Sequence, residues 1–498
     1  MIYHLLIFLI IYLITTHFFS KIRNLPPSPF PTLPIIGHLH LLNKPLHRSL
    51  SLLSQRYGPV LLLHFGLRRV LVVSSPSIVE ECFTKNDIVF TNRPRLLAGK
   101  HLGYDYTSLA WVPYGDLWRN LRKLSSLEIL SSHRLQSLST IRTSEVKLLI
   151  RRLYRNKEEI VDLKSAFFEL MLNMMMRMIA GKRYYGENVE EVEEAARFQG
   201  IVRETFQLAG VNLGDFVPLL GVLKGEERRF VELQKKRDGF IQDLIEEHRK
   251  QMAIRSQSPC EERNKTLIEV LLSLQESDSE WFTDQIIKSL MLALLGAGTD
   301  TSAATMEWAM SLLVNNPEIL IKAQNQIDKL IGHDHLMSES DASKLPYLQC
   351  IINEVMRMYP AGPLLVPHES SRECYIGGYR IPSGTMLLVN LWSIQNDPKV
   401  WDEPQKFKPE RFEGVEGGRD GFRLMPFGSG RRSCPGEGLA LRMLALALGS
   451  LLQCFEWERV SQEMVDMTAG FGLTMPKAQA LLVKCKPRPS MLEVLSQL

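Results

Sequence analysis

The chain has no C-x-x-C pair, and its seven cysteines, at 82, 260, 350, 374, 434, 454 and 485, are scattered through 498 residues. An odd, unpaired set of this kind fits neither a disulfide framework nor a zinc site, and a reducing compartment suits it best. Charge of one sign is also scarce. The 59 Lys and Arg against 55 Asp and Glu leave a net charge of only +4, and no Arg-rich tract is interleaved with aromatics, which argues against nucleic acid as a partner. A mildly basic face for an acidic protein partner remains compatible with this balance. After residue 40 no long Gly/Ser-rich or Pro-rich tract, repeat or low-complexity block divides the chain. One large folded unit is therefore expected, although length alone suggests roughly three domains. With 45% hydrophobic and 23% charged residues, the composition excludes bulk disorder and allows a substantial core.

What is present begins at the N-terminus. Residues 2–19 (IYHLLIFLIIYLITTHFF) are mostly apolar, and about 18 residues just suffice to cross a thin reticulum bilayer of about 27 Å hydrocarbon. A cleaved signal peptide wants positive charge before the run and small residues at its end. Here Lys21 and Arg23 follow the run instead, which favours an uncleaved single-pass anchor over residues 1–20 with the body on the cytosolic side of the endoplasmic reticulum membrane. The stretch Leu25 to Pro34 is proline-rich. With φ fixed and N–H donors missing, it reads as a stiff extended spacer, so 21–37 is expected as a hinge and 38–498 as the globular domain.

In the body, Val60 to Val73 is strand-like on both sides of Gly66, and a second β region runs from Cys374 to Val389 with Gly377-Gly378 as its hairpin turn. Residues 140–180, 190–253, 283–315, 317–332, 342–359 and 436–455 carry helical spacing. The expected fold class is mainly α with a small β portion. The charge-dense run from Lys224 to Lys250 reads as a solvated helix face, and 255–265 as a loop.

Four constellations stand out. Phe427-Gly-Ser-Gly-Arg-Arg-Ser-Cys434-Pro-Gly436 sets one cysteine at the end of a glycine-rich turn and before an apolar helix. Backbone N–H groups of the turn and the positive end of the helix dipole both favour thiolate, and Pro435 suits the first helical position. The helix over 284–315, about 45 Å long at about 1.5 Å per residue, places Gly296-Ala-Gly298-Thr-Asp300-Thr301 in its middle. Glycines cost a helix interior about 1 kcal/mol each, and such a conflict marks a functional site unless they serve close helix packing. Glu354 and Arg357 share a helix face at i,i+3, and Trp118 and Arg122 share one at i,i+4.

The cysteine loop matches the haem-binding signature of the cytochrome P450 family at Phe427, Gly428, Gly430, Arg432, Cys434 and Gly436. From the Pro-rich stretch to the C-terminus the chain resembles that family, with its usual motifs in order. The resemblance implies a P450 fold, haem b held by the Cys434 thiolate, and electron donation from that thiolate that favours O–O cleavage. It makes Gly296 to Thr301 the oxygen-binding groove, with Thr301 hydrogen-bonding bound O₂ and Asp300 helping to deliver protons. It joins Glu354 and Arg357 to Arg411 of Pro409-Glu-Arg-Phe412 as a buried structural triad, and assigns Trp118, Arg122, His368 and Arg432 to the haem propionates. It lines a substrate pocket with His101, Tyr104 and Tyr106, Ala293 and Ala297, Leu364, Leu365 and Val366, and Phe471. The segments FTKNDIVFTNRPRLLAGK, GKRYYGE and CPGEGLALR resemble the plant A-type branch that holds isoflavone hydroxylases, lignan methylenedioxy-bridge formers and indole glucosinolate hydroxylases.

The implied reaction is monooxygenation of a small apolar or aromatic plant metabolite (phenolic, flavonoid, lignan or alkaloid) with O₂ and electrons from NADPH through a membrane-bound reductase. Methylenedioxy-bridge formation is the main alternative. Oxygen-independent rearrangement and a non-enzymatic haem sensor fit less well, because Asp300, Thr301 and the loop spacing are intact. Arg119, Lys123, Arg431 and Arg442 are expected to contribute to a reductase-docking face, with surface solubility as the plain alternative.

Overall fold

A computed structural model describes residues 3, 4, 15, 22–156, 160–186, 192–208, 212–223, 225–255, 265–415, 420–470 and 472–498. The first part of the body holds α1 (Leu46–Tyr57), β1 (Val60–Phe65), β2 (Arg68–Val73), α2 (Pro76–Phe83), α3 (Leu97–His101), α4 (Asp116–Leu124) and α5 (Ser139–Arg155). The middle holds β3 (Ile160–Asp162), α6 (Leu163–Ala180), α7 (Val192–Leu208), α8 (Glu226–Arg255), α9 (Leu267–Ser277), α10 (Asp284–Asn315), α11 (Pro317–Leu330) and α12 (Pro346–Met358). The remainder holds β4 (His368–Glu369), β5 (Cys374–Ile376), β6 (Tyr379–Ile381), β7 (Met386–Val389), α13 (Glu437–Cys454), β8 (Phe455–Arg459) and β9 (Leu482–Pro487).

Helix α10 is the axis of the helical part. Thr283 caps its start by accepting the Ile286 N–H, and its 32 residues span about 48 Å. It packs first against α6, then against α13 and α12. Its C-terminal half is pinned by Trp308, which stacks on Tyr359 at 3.8 Å and donates its indole N–H to the Met475 carbonyl at 2.8 Å. Helix α13 is apolar enough to span a membrane, yet 67% of that span is buried inside the protein. It is a core helix.

The sheets are small. Strands run in the order β1-β2-β7-β4, with β2 and β7 parallel and the others antiparallel. Strands β3, β9 and β8 form a second antiparallel sheet, and β5–β6 is the hairpin turned by Gly377 and Gly378. Both of its turn residues have positive φ, which glycine adopts without a Cβ clash.

Two expected helices are broken. The run 140–180 splits because Ile160–Asp162 pairs with β9, after which Asp162 caps α6 by accepting the Ser165 N–H. The run 190–253 splits around Pro218 and Gly225, the latter at φ +61; α7, a short helix over Pro218–Leu223 and α8 replace it. The run 342–359 begins at Pro346 in fact. The proline-rich stretch is not a free spacer. Pro27 accepts the Leu62 N–H at the edge of the sheet, Asn24 bonds the β5–β6 hairpin at Gly378 and Arg380, and Pro29 bonds His38. Prolines lack donors but keep carbonyls, and these satisfy an edge strand whose N–H groups would otherwise be open. The expected anchor lies outside the described residues apart from Tyr3, His4 and Thr15, which are helical.

Candidate active site

The cysteine loop folds as its glycines dictate. Gly428 and Gly430 both take φ near +70, and a Cβ on Gly430 would stand 2.4 Å from the Asp87 carboxylate. The turn closes when Cys434 donates its N–H to the Phe427 carbonyl at 2.8 Å. Gly436 caps α13, so Pro435 precedes the cap instead of opening the helix. Among the described cysteines, Cys434 alone is exposed. The N–H groups of Gly436 and Glu437 and the Arg122 cation pull its thiol pKa down as the turn predicts, but burial outweighs them and the net shift is upward. A positive ion bonded to sulfur would reverse that balance, because a coordinating thiol deprotonates outright.

Behind the loop, Arg357 grips Glu354 through two hydrogen bonds of 2.6 and 2.9 Å, and Arg411 adds a third at 3.1 Å. Glu354 and Arg357 are fully buried. The remaining guanidinium N–H groups reach the carbonyls of Gln395, Pro404, Asp402 and Glu403. The set is complete, which is the condition under which buried charges persist.

On α10, Ala293, Ala297 and Thr301 recur every four residues, and Ala297 is exposed in mid-helix. An exposed alanine at the centre of the molecule's axis means that this face borders an interior hollow. Thr301 donates its hydroxyl to the Ala297 carbonyl at 2.7 Å. Asp300 accepts from Thr474 at 2.6 Å, and burial raises its pKa. The two glycines differ: a Cβ on Gly298 would meet the Met175 sulfur at 2.8 Å, whereas Gly296 faces open space. Close helix packing thus accounts for Gly298, and room beside the helix for Gly296. The helix runs through the segment without interruption.

The expected propionate partners converge. Arg432 lies over the Trp118 ring at 4.7 Å and donates to the carbonyls of Thr91, Leu109 and Val112. Arg122 donates to the Ser433 carbonyl at 2.6 Å. His368 shares a hydrogen bond with the Phe90 carbonyl at 2.6 Å, and burial together with Arg93 and Arg432 holds its pKa well below the ordinary value. Arg93 is the residue that motif reading missed. It donates to the carbonyls of Val366 and Pro367, its Nε has no partner, and burial lowers its pKa to about 9. Arg432 is lowered to about 9 by burial and by the like charges of Arg93 and Arg122. Among the described residues no carboxylate pairs with any of these three arginines. A crowd of cations without a counter-ion, of which Arg122 lies near the Cys434 thiol, fits a group that brings both carboxylates and an iron for sulfur to bind. Haem is such a group.

The expected pocket residues are dispersed. Phe471 lies outside the described residues. Val366 is exposed, and Leu365 takes a left-handed φ of 53. His101 stacks on Phe230 and pairs with Glu227, and Tyr104 donates to Asp238 at 3.0 Å, so two of the three expected polar handles are bound to α8. Tyr106 lies under Arg95 at 5.2 Å. On the outer surface Arg119, Lys123 and Arg431 are exposed, and Arg119 lies over the Tyr114 ring at 5.6 Å. Arg119 also pairs with Asp116, Arg431 with Asp87, and Arg442 with Glu339 at 3.7 Å.

Comparison with known proteins agrees with this geometry. The family model for Cytochrome P450 matches residues 26–482. Cytochrome P450 81Q32 of Catharanthus roseus is 52% identical, covering 95% of this chain and 94% of that protein. The (+)-piperitol/(+)-sesamin synthase CYP81Q2 of Sesamum radiatum is 49% identical, covering 96% and 94%, and an isoflavone 2'-hydroxylase of Glycyrrhiza echinata is 47% identical, covering 96% and 95%. A zebra fish cytochrome P450 solved with abiraterone superposes with a TM-score of 0.76 at 27% identity, covering 90% of this chain and all of that one. By the family model and by these relatives, the chain belongs to the cytochrome P450 family.

Proposed function

We propose that this haem-thiolate monooxygenase hydroxylates a small phenolic or other aromatic plant metabolite, with Cys434 as the iron ligand. The observation that carries the assignment of the ligand is Cys434 at the end of its glycine turn, its sulfur held by the Gly436 and Glu437 N–H groups and near the Arg122 cation. The haem, when bound, supplies oxygen activation by an iron whose electrons come from NADPH through a flavoprotein reductase. Overall, substrate C–H, O₂, two electrons and two protons become C–OH and water.

The chain's own residues do the rest. Trp118, Arg122, His368, Arg432 and Arg93 neutralise and orient two carboxylates. Glu354, Arg357 and Arg411 hold the segment around the cysteine loop rigid. Thr301 keeps a proton at Oγ1 on the face of α10 that borders the hollow, and Asp300, whose carboxyl pKa burial raises, helps deliver protons from water. Thr474 fixes the Asp300 rotamer. On this reading the substrate meets Ala293 and Ala297 on the Thr301 face of α10, with Leu364, Leu365, Val366, Phe471 and the loop from Leu96 to Tyr106 as the further expected lining. Residues 1–20 anchor the chain in the endoplasmic reticulum membrane with the domain over 38–498 in the cytosol, and Arg119, Lys123, Arg431 and Arg442 face the reductase.

The relatives named as isoflavone hydroxylase and sesamin synthase favour aromatic substrates, and the second keeps ring-bridge formation as the alternative. Microsomes containing this chain and a plant reductase, fed isoflavones, lignans and indole alkaloids, decide between them by product mass. Gain of one oxygen supports hydroxylation; loss of two hydrogens supports bridging. A normal carbon monoxide spectrum without turnover of any aromatic class overturns the substrate reading.

A further inference from the structure

The segment from Ala469 to Lys477 folds back on itself against α10. Ala469 pairs antiparallel with Lys477, and the Gly470 N–H reaches the Pro476 carbonyl at 2.8 Å. The base of this hairpin is pinned on two sides. The Met475 carbonyl accepts the Trp308 indole N–H at 2.8 Å, and the Met475 N–H reaches the Ala361 carbonyl at 3.1 Å. Nearer the tip the tie is of another kind: Thr474 donates its hydroxyl to Asp300 Oδ2 at 2.6 Å.

Two acids on α10 thus hold the C-terminal part of the chain, and they differ. Glu307 lies two turns beyond Asp300, so both share one helix face. Glu307 is buried and accepts a backbone N–H, that of Leu481. Asp300 is only half-buried, and its partner is a side chain. Thr474 is its one hydrogen-bond donor among the described residues. Lys164, at the start of α6, brings a positive charge near Asp300 and donates to the Lys477 carbonyl at 3.3 Å, so it too is attached to the hairpin.

The helix alone does not determine where the Asp300 carboxyl stands, because an aspartate on a helix surface has more than one staggered state open to it. Asp300 is turned about 100° around α10 from Thr301, toward the hairpin and not toward the hollow beside Ala297. Proton transfer requires hydrogen-bond reach, directly or through one water, so a small change of rotamer decides whether the acid serves its site.

We propose that the hairpin over 469–477 is the positioning element for proton delivery, with Thr474 as the positioning residue that holds Asp300 by one carboxylate oxygen. This rests on the reading of Asp300 as the acid that helps deliver protons, and it extends that path to a residue outside α10. A substrate seated against the hairpin, where Phe471 is expected, then acts on proton delivery through Thr474 without touching Asp300.

The fate of oxygen reads out delivery. With protons in place, O₂, NADPH, H⁺ and substrate C–H give C–OH, water and NADP⁺, or O₂ with two NADPH and two H⁺ gives two waters and two NADP⁺. When delivery fails, O₂, NADPH and H⁺ give hydrogen peroxide and NADP⁺. The ratio of fully reduced products to peroxide is measured on the full-length holoenzyme with reductase, without substrate and with isoflavones and lignans. Thr474→Val, Thr474→Ser, Asp300→Asn and the Asp300→Asn, Thr474→Val double variant are compared with the wild type, with the reduced carbon monoxide spectrum as the check on folding. Thr474→Val is expected to lower the ratio by about 3- to 10-fold, the worth of one hydrogen bond. Thr474→Ser keeps the wild-type ratio, and Thr474→Val adds nothing in the Asp300→Asn background. An unchanged ratio in Thr474→Val, a serine variant as impaired as the valine one, or a full Thr474→Val effect without the Asp300 carboxylate overturns the proposal. Asp300→Asn without any effect overturns the reading of Asp300 and the proposal with it, which tells the two failures apart.

Discussion

Arg93, Arg122 and Arg432 stand together with His368 and with no carboxylate among the described residues to balance them. Such an arrangement gains from a bound dianion, which is why these residues are proposed to hold the haem carboxylates. Replacing Arg93 with Ala removes a buried cation whose Nε has no protein partner. The expected result is weaker haem retention by about 10- to 100-fold, read as the haem-to-protein ratio after dialysis, with helix content unchanged. Glu307 makes a separate prediction. Burial raises its pKa from 4.5 to about 7 while it accepts the Leu481 N–H at 3.0 Å. A carboxyl raised in the native state binds its proton more tightly folded than unfolded. Its contribution is complete below about pH 4.5 and is lost as pH rises through about 7, on the order of 3 kcal/mol. Glu307→Gln keeps the acceptor and flattens the fall of Tm across that window; an unchanged slope contradicts the assignment.

At the scale of the element, the cysteine loop shows why its glycines differ. Both Gly428 and Gly430 need positive φ, but open space surrounds Gly428 while Asp87 stands against Gly430. Gly428→Ala is expected to cost about 1 to 2 kcal/mol for the left-handed backbone alone. Gly430→Ala must also displace the Asp87 carboxylate from Arg431 and is expected to cost more and to lower haem content, both measurable by thermal melts and absorbance. The cysteine loop was legible in sequence as a short spacing with a fixed geometric meaning and α10 as sustained helical periodicity, whereas the joining of the Glu354–Arg357 pair to Arg411 followed only from the family resemblance. Other features were not. Gly296 and Gly298 look alike in sequence, and only Met175, from α6, separates them. The parallel pairing of β2 with β7 joins residues some 300 positions apart, beyond what periodicity encodes. Arg93 belongs to no spacing that marks it, since burial without a counter-ion is a property of the packed protein.

Arg119 and Lys123 point outward from α4 while Trp118 is buried and Arg122 reaches the cysteine loop, so one helix joins the interior to the exterior. Charge reversal at Arg119 and Lys123 is expected to raise the KM for reductase several-fold at low salt, with the difference shrinking as ionic strength rises. An unchanged KM removes them from the docking face. The central claim concerns the sulfur itself. The reduced carbon monoxide difference spectrum of Cys434→Ala and Cys434→His tests it most directly: the account predicts that both lose the red-shifted thiolate band, the histidine variant with haem still bound. A full thiolate band in either variant would contradict it.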